Sequence, residues 1–239
     1  MATRLYVMPI SNPAAAGAAM MRHKRIPHRV VSVMPGLHPF LVRLAGFERP
    51  TVPALEIDGR KVQGSREIAH FLDELSTDQP LFPADPETRA AVEEAERWGE
   101  RVLQPVPRRL FRYLVLTSED ARVWLARHVI HLPAGRPMQM AFMPVIRQLA
   151  RVSHADEATV RRTIRDLPDR LDRVDALIAD GTIGGAEPNA ADFQILASVC
   201  VLLEFEDLGH LLEGRACAPA ARLLYPDWDG PIPRGLPLS

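Results

Sequence analysis

The sequence predicts an α/β domain followed by an all-helical one, and three observations predict it. Segments rich in β-branched and aromatic residues alternate with helix-forming segments only as far as residue 75. A stretch rich in proline and polar residues, STDQPLFPADPE at 76–87, comes next and reads as a linker. Beyond it, apolar residues recur at helical spacing.

In chain order, TRLYVMPI (3–10) is strand-like, AAAGAAMMRHK (14–24) is helix-forming through its alanines and methionines, and HRVVSVM (28–34) is again strand-like. That is a β-α-β unit, which requires a parallel pair and a crossover helix. A loop holding PGLHP (35–39) follows. ALEI and KVQ, joined through an Asp58-Gly59 turn, then form a hairpin, and a helix opens at Ser65 with Ile68, Phe71, Leu72 and Leu75 on one face. The order β-α-β then β-β-α describes a thioredoxin-like domain, here residues 1–77, with a linker at 78–86 and an all-helical domain at 87–239.

In the second part, Asp85-Pro86 is an N-cap followed by a first helical position. Ala91, Ala95, Trp98 and Val102 keep a helical period, as do Val160, Ile164, Leu167, Leu171, Val174 and Ile178, with Pro168 predicting a kink or restart in the latter. EPNAADF predicts Asn189 as an N-cap with Asp192 at the third helical position, ahead of an apolar helix carrying Phe193, Leu196, Cys200 and Leu203. The tail YPDWDGPIPRGLPLS (225–239) is too proline-rich for a helix and is expected along the surface.

Composition excludes several classes of function. Lys plus Arg (29) and Asp plus Glu (30) nearly cancel, so there is no positive field for a nucleic acid. No apolar run reaches the roughly 20 residues that span a bilayer, so no membrane association is expected. Two cysteines, Cys200 and Cys217, are too few for a disulfide scaffold and point to a reducing, cytoplasmic setting, with Cys200 an inert core thiol and Cys217 exposed. His128 and His131 stand at a spacing that can ligate zinc, but no third ligand is near and a surface role is expected, so no metal is assigned. RRLFRY (108–113) mixes arginines with aromatics and reads as the rim of a cleft facing the first domain, or as a solvated face.

Pro53 stands just before a strand, where a missing backbone donor needs a reason. Together with the two-domain order, the residues around it make the chain resemble the cytosolic glutathione transferase family. Ser11-Asn12-Pro13 after the first strand is similar to the Ser-Xaa-Pro of theta-like members, whose serine hydroxyl hydrogen-bonds the glutathione thiolate. Val52-Pro53 resembles the family's Val-cis-Pro, whose valine backbone pairs with the cysteinyl residue. Ser65 matches the serine that holds the γ-glutamyl carboxylate, and His38 falls where theta-like members place a histidine near the glycyl carboxylate. The family's Glu or Gln before that serine is Gly64 here, and its basic residue two positions after the first proline is Ala15. Gln63 is the substitute contact, although strand alternation turns it the other way.

The resemblance implies glutathione as co-substrate, conjugation to a small hydrophobic electrophile, and a homodimer. Ser11 rather than cysteine argues against glutathione-dependent disulfide reduction, because a hydroxyl cannot form a mixed disulfide. Each residue also has a plainer reading. Ser11 and Ser65 could serve only as N-caps, Tyr6 belongs to the core, and His38 is a solvated loop side chain. The alternatives to this leading reading are a non-catalytic binding or scaffold protein that keeps the fold, and a transferase using another low-molecular-weight thiol.

Overall fold

A computed structural model describes residues 3–131, 135–226 and 230–238. The chain opens with β1 (Arg4–Val7), α1 (Asn12–His23), β2 (Arg29–Ser32), α2 (His38–Leu44), β3 (Ala54–Ile57), β4 (Arg60–Gln63) and α3 (Ser65–Leu75). The strands form a sheet in the order β2-β1-β3-β4, with β1 and β2 parallel and the other pairs antiparallel. This is the thioredoxin-like arrangement. The period of two divides the strands between the two faces of the sheet: Leu5 and Leu55 join α1 and α3 in the main core, while Tyr6 and Ala54 face a smaller cluster with Val33, Val42 and Phe47.

Helix α2 is absent from the sequence reading, which treats PGLHP as loop. Pro39 falls in its first turn, where proline costs no hydrogen bond, so a turn-like pentapeptide begins a helix instead. At α1, Gly17 is required by proximity: a Cβ there would stand 3.3 Å from the Pro53 side chain, on which the helix packs.

The linker is held down rather than loose. Leu81 and Phe82 are buried, and the Asp73 carboxylate accepts their amides at 2.8 and 3.0 Å. Then follow α4 (Pro86–Trp98), continued by a π-helical turn over Gly99–Leu103, α5 (Pro105–Thr117), α6 (Glu119–Trp124), α7 (Arg136–Val152), α8 (Glu157–Arg165), α9 (Leu167–Ala179), α10 (Ala190–Leu203), α11 (Gly209–Leu212) and α12 (Cys217–Leu224). Asp85 caps α4 by accepting the Thr88 amide. Pro168 marks a restart, since α8 ends at Arg165 and α9 begins at Leu167. On α4 the buried positions are Val92, Ala95 and Glu96; Ala91 and, in the turn that follows, Val102 are exposed, because the buried stripe is rotated by one residue from the expected one.

Helix α10 is buried along nearly its whole length, as a helix apolar on every side must be. Asn189 and Asp192 form the expected capping box at its start. It packs against α1, α4 and α12, so one continuous core runs through both halves. Polar pins reinforce the junction. Asn12 Nδ2 donates to Gln104 O at 3.1 Å and to Ser198 Oγ at 2.8 Å. Glu96, with no exposed surface, accepts from Arg66 Nε at 3.1 Å and lies 3.5 Å from His70 Nε2, both on α3.

Two expectations change. The described part of the tail is non-helical but is anchored in the core: Ile232 and Leu236 are buried, Ile232 bridges to Phe205, and Asp207 accepts the amides of Gly235 and Leu236. Residues 227–229 and 239 of that stretch lie outside the described residues. Cys217, expected to be exposed, is fully buried. It caps nothing, but its amide donates to Asp175, which Arg215 also binds, and this ties the start of α12 to α9.

Candidate active site

Strand register gathers the candidate residues. Tyr6 lies opposite Ala54, and Ala54 opposite Gln63, so the chain leaving β1 toward Ser11, the Val52-Pro53 bend entering β3 and the Gly64-Ser65 step leaving β4 meet at one end of the sheet. Ser32, opposite Val7, brings the β2 exit and α2 to the same end. Open α/β sheets place ligands in such crevices, outside the carboxyl ends of the strands.

Ser11 precedes α1 with an extended backbone, yet its side chain makes no capping hydrogen bond. Its hydroxyl has no partner among the described residues and lines a cleft, so the N-cap reading does not account for it. The first turn of α1 carries no acidic residue, leaving the positive end of the helix uncompensated.

The Val52-Pro53 peptide is cis. Pro53 O accepts the Gly64 amide at 2.9 Å, whereas the Val52 N–H and C=O have no backbone partner among the described residues. Ser65 is not the cap of α3. Gly64 holds that position at φ 103°, a conformation that favours glycine, and Ser65 is the first helical residue. Ser65 is 2% exposed and its Oγ has no hydrogen-bond partner, a costly arrangement unless a ligand supplies one.

The structure removes Gln63 from the site. Its side chain is committed to the 49–51 loop, accepting the Arg49 amide at 2.8 Å and donating to Arg49 O at 2.7 Å and Thr51 O at 3.2 Å. Strand alternation turned it away, as expected. The position a side chain at Gly64 would take is filled by the Glu67 carboxylate, which Arg49 binds at 3.1 Å. Sequence reasoning missed Glu67. The signal was available, because a carboxylate in the first turn of a helix lies close to the residue before that helix.

His38 opens α2 rather than sitting in a loop. It is 9% exposed, its Nδ1 has no partner, and burial, then the charge of Arg112, lower its pKa, so the ring is neutral at pH 7. His38 and Ser11 share the cleft with α5, α6 and α7. The cleft encloses about 1290 Å³, part of it open to solvent, with Phe111, Phe142, Val145 and Leu149 among its walls and Arg108 and Arg112 from the RRLFRY segment at its side. The expected cleft rim is therefore present. Val52 and Ser65 do not line this space.

The other candidates stay outside. Tyr6 packs edge-on against Phe47 in the small core. His128 stacks on Trp124, and the Nδ1 atoms of His128 and His131 each lie 3.1 Å from a carbonyl of the preceding turn. Among the described residues, no group of three or more His, Cys, Asp or Glu side chains could hold a metal, and no helix is long and apolar enough to cross a membrane.

Residues 5–80 match the family model described as glutathione S-transferase, N-terminal domain. No curated protein matches the sequence significantly. Among solved structures, the chain is similar to poplar glutathione transferase F1 at 17% identity and a TM-score of 0.63, over 92% of this chain and 90% of that one. It is similar to the β-etherase LigF from Sphingobium sp. strain SYK-6 at 16% identity and a TM-score of 0.65, over 95% and 99%. FzlA from C. crescentus aligns at 18% identity and a TM-score of 0.56, over 98% and 97%. At these identities the structural likeness establishes the fold.

Proposed function

We propose that this chain, a member of the cytosolic glutathione transferase family by its N-terminal domain and its overall fold, binds glutathione along the sheet end and directs its sulfur at an electrophile in the adjoining cleft. The observation that carries the reading is the buried, unpartnered Ser65 hydroxyl at the start of α3, beside the unpaired Val52 backbone.

The groups suit the γ-glutamyl and cysteinyl parts of the peptide. Ser65 Oγ and the free amides of the first turn of α3 receive the γ-glutamyl carboxylate. Glu67 supplies the negative charge for the neighbouring ammonium that Gly64 cannot. Its pairing with Arg49 does not prevent this, because both side chains are about half exposed (46% and 52%) and such pairs contribute only about 0–1 kcal/mol. The Val52 N–H and C=O pair with the cysteinyl backbone as a strand would.

That pairing brings the sulfur to Ser11. A free thiol, with a pKa of about 8.5, is only a few per cent thiolate at neutral pH. A hydrogen bond from Ser11 Oγ to the anion contributes about 1.5–3 kcal/mol, or about one to two pKa units, and the N-terminus of α1 adds to it. The nucleophile forms a carbon–sulfur bond as the leaving group departs with its electron pair, and the thiol proton passes to solvent.

Calorimetry with millimolar glutathione tests the reading. The expected result is saturable binding that weakens about tenfold or more in Ser65→Ala, the loss of one hydrogen bond to a charged group. Absence of heat and of conjugation would favour the binding or scaffold protein. Heat with a different low-molecular-weight thiol alone would reassign the co-substrate.

A further inference from the structure

We propose that the electrophile this protein accepts is an organic acid, an apolar body with a carboxylate that Arg108 and Arg112 receive. The inference rests on the transferase reading and names the substrate class of the same cleft.

The cleft walls are predominantly apolar, and no aspartate or glutamate stands among the lining residues, yet three arginines do. Arg122 is occupied, bonding Val115 O, Leu116 O and Gln139 Oε1. Arg112 binds only neutral oxygens, Leu149 O at 3.2 Å and Ser153 Oγ. Arg108 remains open to solvent and has no hydrogen-bond or ion-pair partner among the described residues.

Arg108 and Arg112 stand four residues apart on α5, a spacing that brings like charges together at a cost. The Arg112 guanidinium is pulled below its ordinary pKa to about 10, foremost by burial, with the charge of Arg108 as the second cause. Two cations set side by side in an apolar wall without a carboxylate form an uncompensated positive field. An anion that enters the cleft completes it, and the guanidinium fork matches a carboxylate.

A second observation marks the same space as a binding surface. His38, which lines the same cleft from α2, is nine-tenths buried with Nδ1 unpartnered, and its pKa is lowered by burial and then by the charge of Arg112. An acid lying over Phe111 and Phe142, with its carboxylate on Arg108 and Arg112, occupies the cleft that Ser11 also lines.

The test compares 4-chloro-3,5-dinitrobenzoate with its methyl ester. In either case the glutathione thiolate forms a bond to the ring carbon bearing chlorine, chloride leaves with the bonding electrons, and the thiol proton goes to solvent. With each kcat/KM divided by the uncatalysed rate constant, the acid is expected to be preferred by about tenfold or more. In Arg108→Gln, whose parent side chain has no partner among the described residues, the acid-to-ester ratio is expected to fall toward one. Calorimetry of unreactive 3,5-dinitrobenzoate against its methyl ester, without any thiol, reads the same preference independently of catalysis. Binding of the acid with no turnover would defeat the transferase reading and leave only the carboxylate site on Arg108 and Arg112. Equal or better use and binding of the ester would overturn it, as would an Arg108→Gln variant that loses glutathione affinity while keeping its acid preference.

Discussion

Ser11→Ala separates chemistry from stability at one atom. A serine before a helix usually contributes about 1 kcal/mol by capping, and its replacement then lowers the melting temperature. Here the side chain makes no capping bond and has no partner among the described residues, so the expected change in unfolding free energy is within about 0.5 kcal/mol, as for a neutral surface substitution. The chemical effect is larger. Loss of a hydrogen bond to a charged sulfur removes about 1.5–3 kcal/mol, which is about 10- to 100-fold in kcat/KM at neutral pH. The sign in pH follows, since the hydroxyl stabilises the anion: without it the pKa of the bound thiol rises, and the pH at which the rate levels off rises by about one to two units. Steady-state conjugation across pH, with urea unfolding on the same samples, measures both. An unchanged rate would refute the role of the hydroxyl, and a rate loss matched by an equal loss of stability would assign Ser11 to structure instead.

Two further outcomes concern the fold that carries the site. Glu96→Ala is expected to cost about 2–3 kcal/mol in urea unfolding, somewhat below the ~3–5 of a fully buried pair because Arg66 retains 30% exposure; a cost under about 1 kcal/mol would show that the carboxylate does not pin α3 to α4. Cys200 and Cys217 are buried and their thiols are pushed up to about 12, foremost by burial, so both are protonated at pH 8 and are expected to resist iodoacetamide until urea unfolds the chain. Rapid labelling of either in the native protein would contradict this.

How much was legible in the sequence depended on the range of the signal. Local chemistry carried far: Asp85 capping α4, the Asn189–Asp192 box, and the restart at Pro168 all depend on residues within one turn of each other. Helix α2 was not legible, because proline, glycine and leucine around His38 read as a turn when the packing of Val42 against Val33 and Phe47 is unknown. The tail was misplaced for the same reason, since proline content rules out a helix but does not say whether Ile232 meets Phe205.

At the site, the sequence alone determined which residue types stand at the turns after β1, before β3 and after β4, and hence the fold and the candidates Ser11, Val52 and Ser65. Only the tertiary structure decided what each is free to do. Hydrogen-bond partners come from distant segments: the 49–51 loop consumes Gln63, while the hydroxyls of Ser11 and Ser65 find no partner among the described residues. Charge compensation is equally non-local. Glu67 fills the place left by Gly64 because the chain folds it there, and Arg108 stays uncompensated because, among the described residues, no carboxylate lines the cleft.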